Sequence, residues 1–126
     1  MVRRLFKGFT LIELLVVLAI LGLLLSLASP KYFRSVDASK EVVLAENLRI
    51  TRAAIDHFYA DRGRYPESLD ELVARRYLRA LPVDPLAVNT PAWAVVAPPE
   101  GLGGRIADLK SRAPGIGRNG RPYAQW

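Results

Sequence analysis

A charge-free apolar stretch near the start of the chain limits every fold that the chain can adopt. Leu14 to Ala28 is broken only by Gly22 and Ser26. Counted from Phe9 to Ser29 the segment is about 21 residues, roughly 30 Å as a helix, long enough to span a bilayer. Glu13 sits at its head. A lone carboxylate at membrane depth costs about 2.5–3.5 kcal/mol on insertion scales, so such a residue asks for a partner and a function. Arg3, Arg4 and Lys7 precede the stretch, and Gly8 stands directly before Phe9.

With that segment set aside, about 95 residues remain, enough for one small domain with a modest core. The formal charge of +6 invites a nucleic-acid reading. Three of those charges, Arg3, Arg4 and Lys7, lie ahead of Phe9, so the remainder of the chain carries only +3. A residual of that size is weak support for a polyanion partner, and no nucleic-acid partner is expected. The basic residues Arg105, Lys110, Arg112, Arg118 and Arg121 read as a solvated face. The chain has no cysteine, which excludes a disulfide framework and a thiolate metal site.

Three readings compete for the N-terminal segment. A secretory signal peptide would be cut after Ala28, and the small residues Ser26 and Ala28 suit that pattern. Its apolar core would exceed the usual length of about 7–15 residues, and it would have no use for Glu13. An uncleaved single-pass anchor meets the same objection. The third reading uses every residue. Lys7-Gly8-Phe9-Thr10-Leu11-Ile12-Glu13, followed by the apolar run, resembles the N-terminus of type IV pilins and of the pseudopilins of type II secretion.

The resemblance implies that residues 1–8 are a leader removed by a prepilin peptidase between Gly8 and Phe9, and that the new amine of Phe9 is methylated. Gly8 suits a scissile position because it has no side chain to obstruct close backbone approach. The freed amine lies four residues from Glu13, about one helical turn. In a filament, the resemblance implies, the N-terminus of one subunit neutralises Glu13 of a neighbour; the spacing alone equally allows a pair within one chain. The basic residues before the segment outnumber Lys31 and Arg34 after it, a small positive-inside bias. It orients the chain with a cytoplasmic N-terminus and a periplasmic C-terminal domain across the inner membrane.

The expected fold class is α+β: a long N-terminal helix packed on a small C-terminal antiparallel sheet, as in pilins. Its parts are a leader (1–8), a transmembrane or filament-core helix (9–29), an amphipathic continuation (30–62) and a small periplasmic domain (63–126). Pro30 is expected to end or kink the helix, with residues 22–30 as a segment that stretches on assembly. Leu44, Leu48, Ile55, Phe58 and Tyr59 form one apolar face, with Glu41, Glu46, Arg49, Arg52 and Asp56 placed on other faces. If continuous from Phe9 this helix would run about 53 residues, roughly 80 Å. Gly63 is expected to stop it. Ser68-Leu69-Asp70-Glu71 fits a capping box opening a short second helix. The sequence Gly63-Arg64-Tyr65-Pro66, then Leu81-Pro82-Val83-Asp84-Pro85, again resembles the pseudopilin pattern. Seven of the nine prolines lie from Pro82 onward, which rules out helix there. Trp93–Ala97 and Arg105–Ser111 are the predicted strands, and Asn119-Gly120 marks a tight turn before a third short strand near Tyr123. Trp93 and Trp126 read as packing residues.

No catalytic constellation is present, and the chain is not expected to be an enzyme. His57 has no second ligand nearby in sequence. The major pseudopilin that the chain resembles binds calcium in a C-terminal loop through aspartates and backbone oxygens. A hard cation needs six to eight oxygens. Asp108 is the last acidic residue, and arginines flank the loop from Ser111 to Arg118. No cofactor is therefore expected, with Asp84 and Asp108 as the remaining candidate metal ligands. The function implied is that of a structural subunit of the pseudopilus of a type II secretion system, driving protein export by filament assembly. Its partners would be further copies in a helical filament, the prepilin peptidase, other pseudopilins and inner-membrane assembly proteins. The alternative is a major or minor pilin of a type IV pilus or DNA-uptake machine, and, from another class, a soluble periplasmic binding module released after Ala28.

Overall fold

The computed structural model describes residues 7–87 and 93–126 and, at 33 and 34, the main chain alone. Arg3 and Arg4, and the side chain of Arg34, lie outside the described residues. The elements are helix α1 (Leu11–Arg62), helix α2 (Leu69–Ala74), strand β1 (Ala94–Val96), strand β2 (Asp108–Lys110) and a one-turn 3-10 helix (Tyr123–Gln125). Two compact units follow one another along the chain, Met1–Asp37 and Ala38–Trp126. The class is α+β, as the sequence predicts.

Helix α1 runs for 52 residues and contains Pro30, so it does not end there. Residues 22–30 are helical throughout. In the first unit every described side chain from Leu11 to Tyr32 is exposed. The helix is long and apolar enough, by length and composition, to cross a membrane.

The second unit has an ordinary core. Leu44, Leu48, Ile55 and Phe58 are buried along one face of α1, and Tyr59 at its margin stacks on Tyr65 with ring centroids 4.5 Å apart. Against that face lie Leu72, Leu78, Ile106, Leu109, Ala113 and Tyr123. Two members of the supposedly outward set depart from the sequence reading. Glu41 is buried at 8% exposure, and Arg52 is half-buried beside Asp108. Both fall at helical spacing from the apolar residues, so the core face of α1 is wider than its hydrophobic residues alone indicate.

Gly63 ends α1. Its φ of +69° is the left-handed geometry of a helix C-cap, and its N–H donates to the Tyr59 carbonyl at 2.8 Å. Ser68 then caps α2 by accepting the Glu71 N–H at 3.2 Å. Glu71 reaches back past Ser68 to the Glu67 N–H at 2.8 Å, while its other oxygen takes Arg64 at 2.6 Å. The guanidinium of Arg64 thus competes for the carboxylate, and the capping box is displaced by one residue. These contacts, the Arg64 hydrogen bond foremost, hold the Glu71 carboxyl below its ordinary value.

The sheet pairs β1 with β2 antiparallel, Val95 opposite Leu109. Both strands are shorter than their sequence pattern. Arg105 and Ile106 donate their N–H groups to the Pro66 carbonyl at 3.0 and 3.1 Å, which removes them from any ladder. Ile106 is therefore a buried loop residue, and its imperfect alternation with Asp108 and Lys110 is explained. The Asn119-Gly120 turn forms, closed by an isolated bridge between Ile116 and Pro122. No third strand follows it among the described residues. Pro122 has no N–H for a ladder, and the chain turns into the 3-10 helix with Tyr123 buried.

Gly104 has φ +96°, and a Cβ there would collide with the Tyr65 carbonyl group. At Gly63 a Cβ would meet open space. In thermal melts of the full chain in detergent, Gly63→Ala should cost about 1–2 kcal/mol from backbone strain alone. Gly104→Ala should exceed about 3 kcal/mol, beyond the common range for single substitutions. Glu71 makes a second prediction, with a sign. A carboxyl whose folded pKa lies below its ordinary 4.5 adds stability that is present above that value and lost as pH falls through the lowered one. Glu71→Gln should therefore lower the melting temperature at neutral pH, with the gap to the parent closing below about pH 4.5. A gap unchanged down to about pH 3 would contradict the assignment.

Candidate processing and assembly site

Gly8, Phe9 and Thr10 precede α1 and carry no regular secondary structure. A Cβ placed on Gly8 would meet nothing within 4 Å, and Phe9 is 84% exposed. The peptide between them is open to a second protein. Thr10 is the N-cap: its Oγ1 accepts the Glu13 N–H at 3.1 Å, and its carbonyl accepts the Leu14 N–H at 3.1 Å. Thr10-Leu11-Ile12-Glu13 thus has the Thr-x-x-Glu spacing of a capping box, a signal of the helix start that the sequence itself carries. The cap fixes where the helix begins and so where Glu13 stands.

Glu13 lies in the first turn of α1, where the helix dipole favours a negative charge. Its side chain is exposed, and among the described residues no hydrogen bond or ion pair engages its carboxylate. Gly8, Phe9 and Glu13 therefore occupy one short, open region at the head of an uncovered apolar helix. The arrangement can present a peptide bond to a protease and one carboxylate to a cationic partner. It contains no nucleophile or paired acid and base.

The two candidate metal ligands lie far along the chain and are already engaged. Asp84 accepts the Leu86 N–H at 2.9 Å through one oxygen and the Ser111 hydroxyl through the other. Asp108 is paired with Arg52 at 2.7 Å. His57 is exposed, and among the described residues no three His, Cys, Asp or Glu side chains cluster as a metal site. As placed, this donor set does not fit a hard cation. Arg52, which binds Asp108, and Glu41, which binds the Arg118 N–H and the Tyr123 hydroxyl, lie on the core face although their charge suggests a solvated one. Their usable signal was spacing: Glu41 lies three residues before Leu44, and Arg52 lies four after Leu48.

The comparisons agree with this geometry. The model described as the prokaryotic N-terminal methylation motif matches residues 3–29. The type II secretion system core protein G of Pseudomonas aeruginosa is 36% identical over 101 residues, covering 68% of this chain and 71% of that protein. The protein of the same name from Klebsiella pneumoniae is 34% identical over 95 residues, covering 63% and 68%. The type IV major pilin PilA of Myxococcus xanthus is 35% identical over 66 residues, covering 52% of this chain and only 30% of the pilin. No solved structure gives a significant match. On the methylation motif, the long helix with its acid at the head and the extent of the identity, the chain belongs to the pilin-like pseudopilin family of type II secretion core protein G.

Proposed function

We propose that this protein is the structural subunit of a type II secretion pseudopilus, made as a membrane-anchored precursor and assembled into a periplasmic filament that drives protein export. The observation that carries the reading is the charge-free stretch of α1 from Leu14 to Pro30, exposed on every side, with one unpartnered carboxylate at its head and an open Gly8–Phe9 peptide before it. A prepilin peptidase cuts between Gly8 and Phe9 on the cytoplasmic side, and the Phe9 amine is methylated. The precursor waits in the inner membrane as a single pass, with its second unit in the periplasm. On assembly, α1 exchanges lipid for the helices of neighbouring copies, and the Phe9 ammonium of one subunit neutralises Glu13 of another. Other pseudopilins and inner-membrane assembly proteins complete the machine.

The pilin alternative is weaker. The match to the pilin covers about half of this chain, whereas the core protein G matches extend over more of it and over most of those relatives. The chemistry proposed at Gly8, Phe9 and Glu13 is the same in either machine, so these residues do not discriminate the two.

Mass spectrometry of the mature N-terminus should find N-methylphenylalanine from Phe9; a chain beginning at Ser29 or retaining Met1 would sink the proposal. Glu13→Ala should be cut and inserted normally while filament yield falls by roughly tenfold or more, the scale set by a neighbour's Phe9 ammonium left without its counter-charge. Filaments at parental yield would remove the role given to Glu13. Gly8→Val should accumulate as uncut precursor, visible as a mass larger by the leader.

A further inference from the structure

Residues 108–126 have little secondary structure with which to hold themselves. They contain the three residues of β2, one isolated bridge and one turn of 3-10 helix. Yet Leu109, Ser111, Ala113 and Tyr123 are buried. Among the described residues, Arg52 and Glu41 of α1 reach this segment through polar contacts. Arg52 spreads its guanidinium over three oxygens: Nε donates to Asp108 Oδ1 at 2.7 Å, and Nη2 donates to the main-chain oxygens of Leu109 at 3.1 Å and Trp126 at 2.7 Å. Glu41, about three turns earlier on the same face, accepts the Tyr123 hydroxyl at 2.7 Å and the Arg118 N–H at 3.0 Å.

The two contacts are complementary. Arg52 gathers acceptors and Glu41 gathers donors, and a charged side chain is one member of each hydrogen bond, which strengthens it. Between them they tie Asp108, Leu109, Arg118, Tyr123 and Trp126 to one helix. A hard cation would close such a loop by collecting six to eight oxygens. Here Asp108 and two main-chain oxygens are held by a fixed positive charge, and Asp84 is held by Ser111 and Leu86.

We propose that Glu41 and Arg52 close residues 108–126 onto α1 in place of the calcium ion that the family resemblance implies, so that this subunit folds and keeps its C-terminal segment docked without a divalent cation. The closure is covalently built into α1 and does not vary with the calcium supply. The inference rests on the family relationship only for what is replaced; the clasp itself stands on the contacts.

Hydrogen exchange read by mass spectrometry on the full chain in detergent tests both halves. In the parent, peptides covering residues 108–126 should exchange at the same rate in EGTA and in millimolar calcium chloride. Arg52→Met, which keeps the stem and removes the fork, and Glu41→Leu should each speed exchange in those peptides by about tenfold or more. Arg52→Lys keeps the charge without the fork and should fall between. If either drastic variant also loses protection across Leu44–Phe58, the Lys variant is the one read. Slower exchange of the parent in calcium, or faster exchange in EGTA, overturns the proposal. So does parental protection of residues 108–126 in all three variants. Because neither readout requires filaments or secretion, failure here is distinguishable from failure of the pseudopilus reading.

Discussion

An apolar helix with nothing to cover it governs this protein. Every described side chain of α1 from Leu11 to Tyr32 is exposed. At roughly 25 cal/mol per Å² of apolar surface removed from water, no such helix is tolerable in aqueous solution. The first unit is therefore incomplete by itself, and its stable environments are lipid or other helices of the same kind. Membrane storage and filament assembly are then two ways of meeting one requirement, and the proposed work of the subunit is the passage from one to the other.

The second unit obeys a different rule on the same helix. From Ala38 to Arg62 only one face is covered, and that face carries a buried acid and a half-buried base among its leucines. A short sheet and a proline-rich segment could not supply a large core, since two strands alone are marginal. Instead the loops are laced to one another and to α2: the Pro66 carbonyl, between the two helices, accepts two amides, and Arg64 of the same connection binds Glu71. Charged hydrogen bonds across the domain do what longer strands would do elsewhere. Their geometry is specific, so they fix the path of a segment that hydrophobic contact alone would leave loose.

Much of this was legible because it was local. Gly63 ending α1, Ser68 opening α2 and the Asn119-Gly120 turn each depend on residues within four positions. The methylation motif was equally compact. Glu41 and Arg52 were not legible, although their helical phase was in plain view. A charge on an apolar face reads as solvated until a partner is known, and their partners lie 56 to 82 residues away. The third strand failed for a related reason. The strand was inferred from the Asn119-Gly120 turn, whereas the missing N–H of Pro122 and the burial of Tyr123 decide the local path. The truncated β2 reflects competition too, since the Pro66 carbonyl takes amides that the strand pattern would have assigned to a neighbour.

Under the proposed reading, hydrophobic contact explains why subunits associate but not where each one stops. Apolar association is non-directional, and a helix of leucines and valines offers similar ridges every three or four residues. Copies could slide by a turn, about 5.4 Å, with little change in buried area. A single carboxylate at the head of the stretch removes that degeneracy, because only one axial position sets it against a neighbour's amine. Specifying register is the best-attested use of buried charge. Thr10 matters for the same reason: by fixing the first turn of α1 it fixes the height of Glu13 along the helix. Specificity in such a filament would thus rest on a few polar atoms at one end of an otherwise featureless surface.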